Sequence, residues 1–357
     1  MKKILIYIAI LLGISGGLFY IDKKINEPAK IKGNKSLIIY NWGDYLDPKL
    51  IKKFEHEYNY KVVYETFDSN EAMFSKVKQG GTSYDIAIPS DYMIQKMKSE
   101  HLLKKLDKKK ITGLSNIGES FLNKSFDKNN QYSVPYFWGT LGIVYDKRLP
   151  AQDIPDDWRD LWNPDFKKKI LLVDSARDIM GMSLIDLGFS VNTKNDQELE
   201  DAKKNLDELA PNVKAIVADE IKMYMADNEA PIAVTWSGEA SEIMNQNNYM
   251  NYIVPDKGSN MWFDNIVIPK TSKNTKGAYD FINFMLKPKN AAQNANYIGY
   301  ATPNNQAKKY INKKQIDNPE LYPSEDKLQH LQVYKELNQE YIEKYNDLFL
   351  EFKMISK

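Results

Sequence analysis

The chain has no cysteine among its 357 residues. That excludes disulfides, thiolate metal sites, a thiol nucleophile and a lipid carried on an N-terminal cysteine. Histidine is nearly as scarce: His56, His101 and His330 stand far apart and reproduce neither a metal-ligand spacing nor a nucleophile triad. Each reads as a surface residue. Net charge is lacking too, with 49 basic against 48 acidic residues, so no global field draws the chain to nucleic acid and the sign of any binding site has to be local. No internal repeat stands out, and no Pro/Gly/Ser linker is long enough to set one domain apart. What is present is apolar mass. With 43% hydrophobic and 27% charged residues the chain can bury two cores, and without a linker their segments should interweave through short crossovers.

Lys2 and Lys3 precede an apolar run over residues 4–20 that contains Gly13, Gly16 and Gly17 and is closed by Asp22, Lys23 and Lys24. A basic start before an apolar stretch is an export signal, and this one approaches the roughly 20 residues that cross a bilayer. Residues 1–24 therefore read as a signal peptide, cut near residues 15–17, or as a retained membrane anchor. Either way the rest of the chain lies outside the cytoplasm, with the lysine pair inside. Residues 25–35 are polar and read as a tether.

From Ser36 the pattern alternates: strand 37–40, helix 47–58, strand 61–66, helix 70–79, strand 85–89. Short apolar strands between amphipathic helices predict a parallel sheet with right-handed crossovers. In the first helix Leu50, Ile51, Phe54 and Tyr58 recur at helical spacing and form the core face. A second alternation follows, with strand 170–173, helices 177–187 and 196–209, strand 215–217, helix 219–226 and strand 232–236. Between the two, residues 132–146 are aromatic, extended and interrupted by Gly139 and Gly142, which suits a crossing segment with a hinge. A helix over 275–286 and a helical stretch over 326–353 complete the chain. The fold class is α/β with two lobes, each a mostly parallel sheet flanked by helices. Turns at the carboxyl ends of these strands carry acids beside aromatics: Trp42, Asp44 and Tyr45 after the first, Ser90, Asp91 and Tyr92 after the third, and Asp174, Ser175 and Asp178 in the second lobe, where Trp236 ends another strand. Open parallel sheets place their ligands there. Asp91 reads first as a cap for the helix that follows.

Trp262 and Asp264 stand two apart at the start of an apolar strand, so their side chains share a face. An indole beside a carboxylate suits an organic ammonium, because the ring attracts through its quadrupole and the acid accepts charge-assisted hydrogen bonds. A core tryptophan with a strand-end aspartate capping the next turn explains the same two residues equally well. Trp138, Trp158 and Trp162 read as packing residues.

The order and spacing of five stretches break that tie. Residues 39–45 (IYNWGDY), 85–90 (DIAIPS), 236–238 (WSG), 262–264 (WFD) and 298–304 (IGYATPN) resemble the extracellular polyamine-binding subunits of bacterial ABC importers, from about residue 37 to the C-terminus. The resemblance implies a periplasmic-binding-protein-like fold with a ligand cleft between the lobes. Lobe 1 is expected over 36–140 and 265–310, and lobe 2 over 141–264 and 311–357. It also implies capture of spermidine or putrescine, delivery to a membrane permease with a cytoplasmic ATPase, no enzymatic activity and no cofactor or metal. The binding protein is expected as a monomer. Residue by residue, Trp42, Tyr92, Trp236, Trp262 and Tyr300 match the aromatics that wall such a cleft, Ser90 a polar contact and Asp264 the acid that binds one amine. Tyr45 belongs to the first matched stretch. Asp44 and Asp178 stand where relatives carry glutamate, and Ser175 stands where some carry a carboxylate beside the one matched by Asp174. Tyr334 matches a polar contact near the last helix. The other readings are a receptor for a different cationic or metal solute, a polyamine sensor, and an exported glycosidase using paired acids in an aromatic cleft.

Overall fold

A computed structural model of the chain describes residues 35–356, so the expected export segment and the tether up to residue 34 lie outside the described residues. The first alternation folds as β1 (Lys35–Trp42), α1 (Pro48–Tyr58), β2 (Tyr60–Phe67), α2 (Asn70–Gln79), β3 (Ile86–Ala87) and α3 (Asp91–Ser99). The first two helices start where a side chain can satisfy their free N–H groups. The Asp47 carboxylate accepts from Lys49 N and Pro48 fills a first position that needs no donor, while the Ser69 hydroxyl accepts from Ala72 N. Both end on left-handed residues, Asn59 and Gly80. Leu50 and Phe54 of α1 are buried, and Ile51 and Tyr58 are half-buried beside them.

Strand β4 (Ser133–Asp146) then leads into β5 (Ile170–Val173), α4 (Ala176–Asp186), α5 (Asp196–Leu209), β6 (Val213–Val217), α6 (Glu220–Ala226), β7 (Ile232–Trp236) and α7 (Ser237–Gln246). Strands β8 (Met250–Ile253) and β9 (Met261–Val267) precede α8 (Thr275–Met285) and α9 (Pro288–Ile298). Two short helices, α10 (Lys313–Ile316) and α11 (Glu325–Gln329), lead to α12 (Gln339–Ile355). The strands run in the order β2-β1-β3-β9-β4-β7-β5-β6, with β8 also on β4. Outer pairs are parallel, as the alternation predicts, and the pairs made by β4 and β9 are antiparallel. The joint is β4. Residues 133–140 pair with β9, whereas 141–145 pair with β7 and 143–146 with β8. Phe54, Phe263, Phe281 and Phe284 anchor one apolar core, and Trp158, Phe166, Tyr345 and Phe352 anchor another. Trp138 packs on Phe121 in the first of these, and Trp162 is half-buried with its Nε1 donating to Asn205 O at 2.8 Å.

Two expectations change. The helix expected over 326–353 is interrupted, because Gln332 N donates to Ser259 O at 2.8 Å and Met261 N to Gln332 O at 2.9 Å, pairing this backbone with the start of β9. Helix resumes only after Asn338, whose side chain accepts from Tyr341 N. Residues 288–298, outside the expected elements, form α9. Pro288 at its first position and Gly299 at its end, with φ +95°, are both ordinary helix signals.

Candidate ligand-binding site

Where β4 changes partner, its two neighbours present tryptophans. Gly139 lies opposite Trp262 of β9, and Leu141 lies opposite Trp236 of β7. Glycine is needed at 139, since a Cβ there would come within 2.5 Å of the Trp262 ring and 2.6 Å of Ser237 Oγ. At Gly238, in the first turn of α7, a Cβ would collide with the Tyr300 ring. Tyr300 therefore lies flush against α7, and it also meets Trp262 edge-on at 4.9 Å and Tyr45 edge-on at 5.6 Å between ring centres. Residues from both halves of the sheet meet around this ring.

Asp264, 5% exposed, sits beside that cluster. Tyr45 OH donates to its Oδ2 at 2.5 Å and Ser90 Oγ to its Oδ1 at 2.7 Å. Burial pushes the carboxyl up to about 6, against the pull of those two hydrogen bonds. A carboxylate offers about four lone-pair positions, so two stay open. Ser90 precedes α3 as its N-cap residue but its hydroxyl makes no cap, being turned to Asp264 instead. Asn70 holds it there: Asn70 Nδ2 donates to Ser90 Oγ and to Tyr92 OH, each at 3.0 Å, and Ser90 N donates to Asn70 Oδ1 at 3.1 Å. Tyr92 OH in turn donates to Glu71 Oε1 at 3.2 Å, and the Tyr92 ring packs against both apolar cores. Asp91 accepts from Tyr92 N at 2.6 Å and from Phe263 N at 3.2 Å, so it clamps α3 to β9 in addition to occupying the first turn of the helix.

The second half carries its own buried acid. Asp178, 6% exposed, accepts from Ser175 Oγ at 2.6 Å, Trp236 Nε1 at 3.1 Å and Tyr334 OH at 2.7 Å. Burial raises its pKa, while those three hydrogen bonds and the Arg177 charge pull the other way. Ser175 is again an N-cap residue without a cap bond.

The remaining expected residues lie apart from these two groups. Trp42 is half-buried at the end of β1, with Nε1 donating to Ile88 O at 3.0 Å and its ring 4.6 Å from that of Phe67. Asp44 is exposed in a left-handed conformation, φ +46°. Asp174 turns outward to Lys353 of α12, whose Nζ donates to both of its oxygens at 2.8 and 2.7 Å. Two residues escaped the sequence reading. Asn70 does so because a helix-start asparagine carries no distinguishing signal. Glu239, next to Gly238, is buried, bonded by Thr235 Oγ1 and pushed up to about 7 by burial. An acid in the first turn of a helix ordinarily reads as a partner of the helix dipole. Among the described residues no group of three His, Asp or Glu side chains is placed to hold a metal, and no helix is long and apolar enough to cross a membrane.

A family model described as bacterial extracellular solute-binding protein matches residues 49–323. The chain belongs to that family. This solute-binding protein is 37% identical, over 298 residues, to the spermidine/putrescine-binding periplasmic protein of Escherichia coli (strain K12), covering 83% of this chain and 86% of that one. Among solved structures, the spermidine/putrescine ABC transporter substrate-binding protein PotD from Streptococcus pneumoniae is 53% identical with a TM-score of 0.83, covering 91% of this chain and 100% of that chain. A putative spermidine/putrescine ABC transporter from Listeria monocytogenes is also 53% identical, with a TM-score of 0.85 over 90% of this chain and 99% of that one. The solute-binding protein thus has the two-lobed binding-protein fold, with its cleft between the lobes.

Proposed function

We propose that this solute-binding protein captures a polyamine, spermidine or putrescine, between its lobes outside the cytoplasm and delivers it to an ABC permease driven by a cytoplasmic ATPase. It acts as a monomer and performs no chemistry on its ligand. One observation carries the reading: each lobe offers a buried carboxylate with unused lone pairs, Asp264 and Asp178, and the rings of Trp262, Tyr300, Tyr92 and Trp236 belong to the same two groups. A polyamine is the complementary object, an alkyl chain with ammonium groups at intervals. Each desolvated ammonium over a ring gains roughly 0.5 to 2 kcal/mol, and each charge-assisted hydrogen bond roughly 1.5 to 3. Several of each offset dehydration of the polycation and leave the roughly 8 kcal/mol of micromolar binding. The raised carboxyl pKa values point the same way. A buried acid whose charged form is short of partners is relieved by an incoming cation. The names of the similar proteins agree with this ligand class.

Closure belongs to the proposal. We take the lobes to divide on β4 between Thr140 and Leu141, and the return crossing to lie before Met261 rather than at the expected 264/265 boundary, which assigns Asp264 to lobe 1; the pairing of residues 261–264 with 137–140 of β4 supports this reading. Gly139 and Gly142 flank the division. Titration calorimetry of the full-length protein in detergent with putrescine and spermidine tests the ligand, and small-angle scattering under the same conditions tests closure. Micromolar or tighter binding of at least one, with a smaller radius of gyration, is expected. Absence of binding to both overturns the reading.

A further inference from the structure

The turn that brings Tyr45 to Asp264 has almost nothing of its own to hold it. Residues 43–46 link β1 to α1, and among the described residues none of them makes a backbone-to-backbone hydrogen bond. A turn so lightly tied can place a side chain in several ways, yet Tyr45 OH reaches Asp264 Oδ2 at 2.5 Å. What fixes it lies behind the cleft, in two residues not yet given a part in the site.

Tyr136 OH donates to Tyr45 O at 2.9 Å, and Asn294 Nδ2 of α9 donates to Tyr136 OH at 2.7 Å. The other end of the same amide, Asn294 Oδ1, accepts from Asp47 N at 2.8 Å. One asparagine thus ties the turn at residue 45, through Tyr136, and at residue 47 directly. Tyr45, Asp47, Tyr136 and Asn294 are all buried, so water does not compete for these bonds and a broken one leaves a desolvated polar group behind. Burial also drives both tyrosine hydroxyls well above the usual phenol range, so each stays protonated and donates.

Strand β4 is irregular at this point. Pro135 lies opposite Asn265 and Phe137 opposite Asp264, so Tyr136 is an extra residue with no partner of its own on β9. A bulge of this kind re-aims one side chain, and here it is the one that meets Tyr45 O. The Tyr136 ring packs 4.5 Å from that of Phe137 and 5.9 Å from that of Tyr45, contacts a phenylalanine would also make. The hydroxyl is what the turn requires.

We infer that Tyr136 and Asn294 are positioning residues of the polyamine site, which hold the turn between β1 and α1 so that the Tyr45 hydroxyl stays on Asp264. The inference rests on the polyamine reading and extends it behind the cleft wall. The Tyr45 bond lowers the Asp264 carboxyl against the rise that burial causes, so a turn released by loss of the Tyr136 hydroxyl should leave this acid harder to ionise. Asp91, held by Tyr92 N and Phe263 N, and Tyr300 are the other titratable groups near it, and neither hydrogen-bonds to the turn. Ser90 keeps its bond to Asp264 in either case.

The test is spermidine titration of the full-length protein between about pH 5 and 8, as wild type, Tyr136→Phe and Asn294→Leu, each with and without Tyr45→Phe, with thermal melting as the check on folding. Wild-type affinity should fall below about pH 6, and in Tyr136→Phe that midpoint should rise by about one pH unit, read as about fivefold weaker binding near pH 6 and less than about twofold near pH 8. Asn294→Leu should move the midpoint the same way, and either variant that melts like wild type suffices for the decision. Tyr45→Phe alone should show the same rise, with no further shift when Tyr136→Phe or Asn294→Leu is added. A midpoint that stays put in both variants overturns the inference, including a loss of affinity equal at every pH, which would make the two residues packing alone. So does a shift repeated in full on the Tyr45→Phe background. Failure of wild type to bind spermidine or putrescine overturns the functional reading instead; the Asp264 carboxyl, followed by carbon-13 NMR in the unliganded protein, then decides the inference by the same rise or its absence.

Discussion

Asp264 and Asp178 are buried to the same degree, and each takes a hydrogen bond from the serine that precedes a helix, yet the two are built differently. Asp178 lies three residues after Ser175 on the helix that Ser175 begins, at its positively polarised end, and three donors already answer its charge. Asp264 is 174 residues from Ser90 and has two donors. One station thus starts from a local pair, Ser175 and Asp178, that forms with its helix before Trp236 and Tyr334 join it, and the other exists only once β9 has docked beside α3. The difference teaches where ligand binding should be most costly to disturb. The acid with fewer partners has more charge left for an incoming ammonium.

The largest expected effect tests that ranking. Asp264→Asn should lower polyamine affinity by roughly 3 to 5 kcal/mol, over two decades, by leaving a desolvated ammonium without its counter-charge. Asp178→Asn should cost roughly 1.5 to 3 kcal/mol, since part of that carboxylate's charge is already met inside the protein. Titration calorimetry of both variants with one polyamine measures the gap, and equal losses would erase the distinction.

Next comes pH. The Asp264 carboxyl of the unliganded protein gains its proton as pH falls through about 6, and a neutral acid offers no charge to the ligand. Affinity should therefore fall by up to about tenfold per unit below that point in wild type, a dependence that Asp264→Asn should lose. The sign for stability is opposite. The folded value lies above the ordinary carboxylate value of 3.8, so this group's contribution to stability is fully present below that value and is lost as pH rises through about 6. Acidification from neutrality to about pH 5 should raise the unliganded melting temperature through this group while shrinking the further rise that polyamine produces. Paired melts at several pH values, with and without spermidine, check both signs.

Smaller effects separate the two tryptophans. Trp236 donates to Asp178, whereas the buried Trp262 Nε1 has no partner. Trp236→Phe should cost about 1.5 kcal/mol of binding and Trp262→Phe about 0.5 to 1, the loss of ring face alone. Smallest of all, Asp44→Asn should stay within about threefold of wild type in the same titration, because the exposed side chain holds a screened charge.

What the sequence made legible follows the same line between local and distant. The inward stripe of α1 and the two-residue period of Trp262 and Asp264 are local facts, readable without a fold. The glycines of the crossing segment were visible as a hinge signal, though the tryptophan that needs Gly139 lies on another strand. Other outcomes depended on contacts across the chain. Nothing near Asp174 announces that Lys353, 179 residues later, will take both of its oxygens. The break before α12 is invisible to helical periodicity, because the bonds that replace helix at Gln332 belong to Ser259 and Met261.

Strand β4, shared end to end by both halves of the sheet, has a consequence for how this molecule can be taken apart. A fragment ending at Thr140 would carry residues 133–140 without the β9 they pair with, and a fragment starting at Leu141, though it keeps 141–146 on β7 and β8, would leave β9 without residues 133–140. Bare edges of that kind are templates for pairing between chains. Neither half should be expected to survive as a soluble piece, and the pairing of residues 133–140 with 261–267 cannot close until more than a hundred intervening residues have been made. The protein has to be completed before it can be assembled, which favours a chain that is held unfolded until its whole length has emerged.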